Sequence, residues 1–164
     1  MTSCRPRPIW SESQFFFART LATTLISLFQ FALINTAAIL IFGVRTSGSI
    51  PGISFLAVAF CLLNAAFGLM LASIGRSASA TRGFAMVVTL LLVMLGGAWV
   101  PSFVFPKWLQ QASLAAPTRW AVDGLDAVTW RSQSLGAAVL PVTVLGATAA
   151  ICLTIAIWRF RWED

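Results

Sequence analysis

The chain has 164 residues, enough for one domain, and 59% of them are hydrophobic while only 10% are charged. A soluble domain carries about 25% charged residues, so this composition excludes a water-exposed surface and requires one that faces lipid. The net charge of +6 would suggest nucleic acid as a partner of a soluble protein. Here the basic residues are scattered between apolar runs, so we expect no nucleic-acid partner and attribute them to membrane topology.

Four uncharged stretches follow one another along the chain, and each can hold one membrane-spanning helix of about 20 residues. Residues 1–20 before them are expected to form a cytoplasmic tail that ends in an interfacial segment, with aromatic residues and Arg19 at the membrane edge. The predicted fold is all-α and integral to the lipid bilayer. It has one transmembrane domain over 21–164, with spans at about 21–44, 53–75, 83–100 and 135–158.

The first two predicted spans contain amides at Gln30, Asn35 and Asn64. In hydrocarbon such side chains need hydrogen-bond partners, which we expect on neighbouring helices. Near the end of the second span, small residues form a face that would let another helix approach closely. This face consists of Gly68, Ala72 and Gly75.

The segment 102–134 is too long for a tight turn and too polar to span the membrane, yet it is rich in Phe and Trp. Pro106 and Pro117 divide it into two short helical pieces, at about 106–115 and 118–129. We expect this pair either to lie in the membrane interface or to dip into the bilayer and return before the last span.

Orientation follows from the basic residues, because cytoplasmic loops carry an excess of them. Four spans put both termini on one side, together with seven basic residues: Arg5, Arg7, Arg19, Arg76, Arg82, Arg159 and Arg161. The opposite side holds four, which are Arg45, Lys107, Arg119 and Arg131. We therefore expect a multi-pass protein of the plasma membrane, with both termini in the cytoplasm and the segment 102–134 outside.

The ionisable residues exclude several kinds of site. Without histidine there is no Ser-His-Asp triad and no histidine metal site, and the three cysteines lack metal-ligand spacing. A P-loop needs a lysine after a glycine, whereas the single lysine, Lys107, follows a proline. We thus expect no ATPase site, no cofactor and no metal. All five acids lie outside the spans, which gives no sign of an intramembrane proton relay. Of these, Asp123 and Asp126 are spaced to pair with Arg119 or Arg131.

Taken in order, several segments resemble the C-terminal part of an ABC-2 type permease, the membrane subunit of type V ABC exporters. They are Ile-Phe-Gly-Val44 before a Gly-Ser loop, the small-residue stretch Phe67–Gly75, the Gly-Gly-Ala-Trp-Val-Pro101 helix end, Phe105–Gln111, and Ala116–Gly124. In that family the last two form a re-entrant pair of extracellular helices. Family members generally have six spans in each half, and this chain resembles the last four.

The resemblance implies a permease subunit of an ATP-driven exporter that forms the translocation path and depends on a separate ABC ATPase, which binds the ATP. It also implies a second permease half, identical or different. A candidate gate or path in the re-entrant region comprises Gly97, Pro101, Phe105, Pro106, Pro117 and Trp120. The candidate contacts with the ATPase, chosen by side of the membrane, are Arg19, Arg76 and Arg82.

Other interpretations stay open from the sequence. The prolines and glycines of the candidate gate also fit simple helix breaking, and the tryptophans fit interfacial anchoring. A truncated or non-transporting membrane scaffold or assembly protein would use the small-residue faces and the amides for helix packing alone. A membrane-embedded enzyme is disfavoured, because no nucleophile and base are paired in or near the spans.

Overall fold

The computed structural model describes residues 12–44, 48–75, 77–131 and 133–160. These ranges contain no strand and six α-helices, so the all-α prediction is confirmed. The helices are α1 (Glu12–Phe42), α2 (Ile50–Ile74), α3 (Ala78–Leu95), α4 (Lys107–Ser113), α5 (Pro117–Thr129) and α6 (Gly136–Phe160), and a short 3-10 turn covers Ser102–Val104.

Three helices are long and apolar enough to cross a membrane: Phe17–Phe42 within α1, Ile50–Ile74 and Gly136–Arg159. This confirms a membrane-embedded helical protein. The apolar stretch of α3, Ser79–Leu95, is shorter. The 18 residues of α3 rise about 27 Å, close to the hydrocarbon thickness of about 30 Å, and a fourth crossing stays a prediction.

Two helix boundaries differ from those expected. The helix α1 already begins at Glu12, so residues 12–20, the described part of the expected tail, are helical. The helix α3 lies several residues closer to the N-terminus than 83–100. It starts early because the Ser77 hydroxyl accepts a hydrogen bond from the Ala80 N–H at 3.3 Å, which is an N-cap. Most of the expected basic loop 76–82 is therefore helical.

The end of α3 is fixed by a Schellman motif. Gly97 has a φ of +81°, which a residue with a side chain rarely adopts. The Gly97 N–H donates to the Met94 carbonyl at 3.2 Å, and the Ala98 N–H donates to the Val93 carbonyl at 3.4 Å. These two bonds satisfy carbonyls that the helix end would otherwise leave without partners, so α3 stops before the expected residue 100.

The helix α2 is central, because α1, α3, α5 and α6 all pack against it. Its most extensive contact is with α6. The core between α2, α5 and α6 contains many small side chains, which let helix backbones approach closely. Its buried members are Leu56, Ala59, Leu63, Ala66, Ala121, Val128, Ala138, Leu145, Ala149 and Cys152.

The helix α5 lies along α2 instead of flat across the end of the bundle. At its C-terminal end Val128 contacts Gly52, and one turn earlier Gly124 contacts Leu56. As α5 is followed from its C-terminal end back toward its start, its contacts on α2 therefore move one turn further from the α1–α2 loop. This geometry favours a helical pair that dips into the bilayer and returns, which is one of the two arrangements left open by the sequence.

The two ends of the bundle can now be defined. The α5 end carries Gly48, whose backbone packs against the Val128 carbonyl. The terminal end carries the start of α1 and the α2–α3 turn, where the Gly75 backbone packs against Thr81. The helix α3 leads from the terminal end toward the α5 end: it starts beside Gly75, and its last turn contacts Thr118 at the start of α5, which is the part of α5 furthest from Gly48.

We predict that Gly48→Ala destabilises the fold by about 2 kcal/mol or more, in the range of overpacked sites. A Cβ at this position would lie 1.5 Å from the Val128 carbonyl oxygen, so the α1–α2 loop and α5 must separate. The measurement is the thermal midpoint of the detergent-solubilised protein. Gly146→Ala is the matched control, since no atom lies within 4 Å of the added Cβ there. Equal midpoints for the two variants would contradict the prediction.

Candidate functional site

The backbone between α3 and α5 is irregular over much of its length, and in a bilayer its polar groups need partners within the protein. Side chains of the two short helices supply some of these partners. Gln110 Nε2 donates to the Phe105 carbonyl at 2.9 Å. Trp120 Nε1 donates to the Leu114 carbonyl at 2.9 Å. The segment therefore satisfies carbonyls in its own turns, as a structure that enters the membrane must.

A single side chain ties this unit to α3. The Thr118 hydroxyl, at the start of α5, donates to the Leu92 carbonyl in the last turn of α3 at 2.5 Å. The fit is close, because a Cβ at Gly96 would lie 2.6 Å from the Thr118 oxygen. The sequence separation of 26 residues makes this a tertiary bond between two helix ends.

The joint between α4 and α5 is polar and largely buried. The Arg119 side chain is only 14% exposed, and its Nε lies 2.5 Å from Asp123 Oδ2. Its Nη1 donates to the hydroxyl of Ser113 at 2.6 Å, and Ser113 is fully buried. Arg119 thus links the last residue of α4 to the second turn of α5 through charge-assisted hydrogen bonds.

A second ion pair lies at the end of α5. Arg131 Nη2 is 2.9 Å from Asp126 Oδ2, and both side chains are exposed. Together with the Arg119–Asp123 pair, it confirms the predicted partnership between the two acids and the two arginines. Exposed pairs of this kind contribute about 0–1 kcal/mol, so the Arg119 pair matters more for the fold.

The helix-breaking residues of the candidate gate lie at the ends of helices and turns. Gly97 closes the Schellman motif at the end of α3. Pro101 precedes the 3-10 turn, Pro106 precedes the first residue of α4, and Pro117 is the first residue of α5. A proline at the start of a helix loses no hydrogen bond, because the first N–H groups have no partner in the helix.

The six candidate gate residues all lie between the end of α3 and the first turn of α5, and five of them do not line the groove that the structure shows there. Of the six, Phe105 alone lines the apolar groove that opens between the end of α3 and α4. Trp120 is half-buried and bonded to the α4–α5 turn. The groove has a volume of about 260 Å³ and is lined by Leu91, Met94, Leu95, Trp99, Val100, Phe105 and Leu109.

The candidate ATPase contacts lie at the terminal end, opposite the groove. Arg19 is exposed near the start of α1, and Arg82 is exposed in the first turns of α3. Neither has an ion-pair partner within the described ranges. Arg76 lies outside the described residues.

The three amides expected within the membrane differ in their hydrogen-bond partners. Asn35 donates to the Phe31 carbonyl of its own helix at 2.9 Å, so the expected partner on a neighbouring helix is not used. Gln30 and Asn64 are exposed, and neither has a hydrogen-bond partner among the residues that the structure describes. Gly68 and Ala72 are also exposed, so this small-residue face is open in the isolated chain.

Sequence reasoning missed Thr118, Ser113 and Gly48 as contributors to this site. A threonine near a helix start normally caps its own helix, and nothing local indicates that Thr118 bonds to α3 instead. Ser113 and Gly48 are common turn and helix-end residues. Gly48 acts through a contact with Val128 across a long sequence separation, for which only the Gly-Ser composition of the α1–α2 loop gave a weak signal, and Ser113 acts through a bond to Arg119 on the next helix.

The fold and this site define a class: a polytopic α-helical membrane domain with a pair of short helices before its last long helix. The family model described as "ABC-2 type transporter" matches residues 3–130, which is most of the chain. The chain therefore belongs to the ABC-2 type transporter family, whose members are the membrane-embedded permease domain of ABC transporters and not the ATPase. No curated protein and no solved structure matches the sequence.

We predict that Thr118→Val loosens the re-entrant unit from α3, because valine keeps the shape but cannot donate to the Leu92 carbonyl. The expected cost is about 1 kcal/mol, with faster amide hydrogen exchange in the first turn of α5. Thr118→Ser should restore slow exchange. Thr143→Val is the control, since that exposed hydroxyl bonds only within its own helix. Unchanged exchange in Thr118→Val would refute the role of this bond.

We predict that Arg119→Gln destabilises the fold by about 1–3 kcal/mol, whereas Arg131→Gln changes stability by less than about 1 kcal/mol. The difference follows from burial: Arg119 is 14% exposed and Arg131 68% exposed. Chemical unfolding in mild detergent, followed by tryptophan fluorescence, measures both variants. Equal losses would show that the Arg119–Ser113 bond contributes nothing.

Proposed function

We propose that the chain is the permease subunit of an ATP-driven exporter and that a separate ABC ATPase supplies the energy. The family match over residues 3–130 carries this proposal. In this proposal the chain forms half of the path and the partner does the hydrolysis.

The ATPase docks at the terminal end of the bundle, which faces the cytoplasm of the plasma membrane. Arg19 and Arg82 support the terminal end as the docking surface, because they are exposed cations without ion pairs in the described part of the chain. At the α5 end, by contrast, Arg119 and Arg131 are paired with acids, and Lys107 is the one described cation there without an ion pair. An excess of free positive charge is typical of the cytoplasmic side.

Movement at the ATPase reaches the opposite side through α3. This helix starts near the docking surface, and its last turn holds the re-entrant unit through the Thr118–Leu92 bond. A rigid helix with a specific bond at its far end is a physical means of coupling two distant sites. The re-entrant unit, with Gly97, Phe105 and Trp120, then acts as the gate on the outer side.

A second permease half completes the path. The apolar part of α1 supports this, because no residue of its most apolar window is buried within the chain. Gln30 and Asn64 support it as well, since an amide in hydrocarbon is stabilised by a partner. By helix rise they lie at similar distances, about 18 and 21 Å, from the α1–α2 loop, so one partner surface reaches both.

The test is co-purification of the tagged chain from its native membrane with quantitative mass spectrometry. We expect a stoichiometric ABC ATPase with the wild type and a loss of about ten-fold or more for the double variant Arg19→Glu, Arg82→Glu. The control is Arg131→Glu, which reverses one charge instead of two, at the α5 end, and should retain the ATPase.

Two outcomes would overturn the proposal. Recovery of no ATPase with a chain shown to be folded and inserted would favour the scaffold interpretation. Equal loss in the Arg131→Glu control would show that the effect is one of net charge and that the terminal end is not the docking surface.

A further inference from the structure

The apolar groove beside α3 has no occupant within the described part of the chain. It is formed where α3 ends and α4 begins, so it lies toward the α5 end of the bundle. Leu91 and Leu95 form one wall, and Phe105 and Leu109 form the other. Its volume of about 260 Å³ is below the range of about 300–1,000 Å³ that drug-sized ligands need. A slender apolar group, such as one acyl chain, suits this size and lining.

A cation lies next to the lining residues of the groove in the sequence, and we infer that its long side chain reaches the rim. Lys107 is the first residue of α4 and lies in the sequence between two lining residues, Phe105 and Leu109. Its side chain is exposed, and it has no ion-pair or hydrogen-bond partner among the described residues. The other two described cations at this end, Arg119 and Arg131, are each neutralised by an aspartate. Among the described cations at this end, Lys107 is therefore the one whose charge is available to bind an anion from outside the chain.

Aromatic residues place this rim at the membrane interface. Trp108 follows Lys107 and is 69% exposed, and Trp99, which lines the groove, is 67% exposed. Exposed tryptophans are enriched at the level of lipid headgroups. A lysine at that level can contact a lipid phosphate, while the groove, on the side of the bilayer centre, can contact an acyl chain.

We propose that this groove is a binding site for one anionic phospholipid, with an acyl chain between α3 and α4 and the phosphate on Lys107. The combination of charge and apolar lining selects this ligand over a neutral lipid and over a soluble anion. The site does not depend on an ATPase partner, so it stands or falls separately from the proposed function.

The experiment titrates the purified chain with phosphatidylglycerol or with phosphatidylcholine of the same acyl chains, and native mass spectrometry counts the bound lipid. We expect phosphatidylglycerol to bind about five-fold more tightly, as one lysine near an anionic headgroup gives. Lys107→Gln should abolish this preference and Lys107→Arg should keep it. Arg131→Gln, which removes a paired cation at the same end, should leave it unchanged.

A second pair of variants tests the groove itself. Leu91 and Leu90 are adjacent exposed leucines on α3, but Leu91 lines this groove whereas Leu90 lines a neighbouring one with Ala85 and Met86. Leu91→Trp should fill the groove and reduce phosphatidylglycerol binding about five-fold or more. Leu90→Trp carries the same bulk and should leave binding unchanged.

Several results would overturn the proposal. These are equal binding of the two lipids, an unaltered preference in Lys107→Gln, or equal effects of the two tryptophan variants. Displacement of the lipid by soluble glycerol phosphate would show that the headgroup binds without the groove. A change of oligomeric state in Leu91→Trp, with lipid binding intact, would show that a second protein chain occupies the groove.

Discussion

The close packing of α2 against α6 is the interaction on which the rest of the structure depends. Lipid tails are as apolar as the helix surfaces, so burial alone gives little driving force for helix association, and tight contact must supply it. Ala59 and Ala66 on α2 and Ala149 on α6 are buried in this core. The small side chains bring the two backbones together, and the pair then offers α5 a surface on which to pack.

The helix α5 uses that surface through close approaches that tolerate no extra atoms. Gly124 lies against Leu56 of α2 and Pro141 of α6 at once, and a Cβ there would meet both at 2.9–3.0 Å. Pro141 is inside α6, where its ring is buried. Three helices therefore meet at one glycine, and α5 is held firmly along the α2–α6 pair. By comparison, α1 and α3 have fewer contacts with the rest, which makes them the elements whose displacement costs least.

Much of this architecture could be predicted from the distribution of charge and proline. The uncharged stretches located the long helices, Pro106 and Pro117 located the two short ones, and the spacing of Asp123 and Asp126 predicted their ion pairs. The end of α3 could not be predicted to the residue, because Gly96 and Gly97 are adjacent and only the backbone shows which has a positive φ. The Thr118–Leu92 bond joins residues that are far apart in sequence, so no local pattern signals it.

The same bonds constrain how the segment between α3 and the end of α5 can move in the proposed gating. Gln110, Trp120 and Arg119 bond within the segment between α3 and the end of α5, and breaking them inside a bilayer would leave polar groups without partners. The prolines and Gly97 are accounted for by helix ends. A gate built here must therefore move as one body, and its bond to α3 runs through Thr118. Because α5 is also held by Gly48 and Gly124, α3 acts on this body only while the Thr118–Leu92 bond is intact. A motion of α3 that breaks this bond uncouples it from the proposed gate, so the bond sets the limit of the coupling.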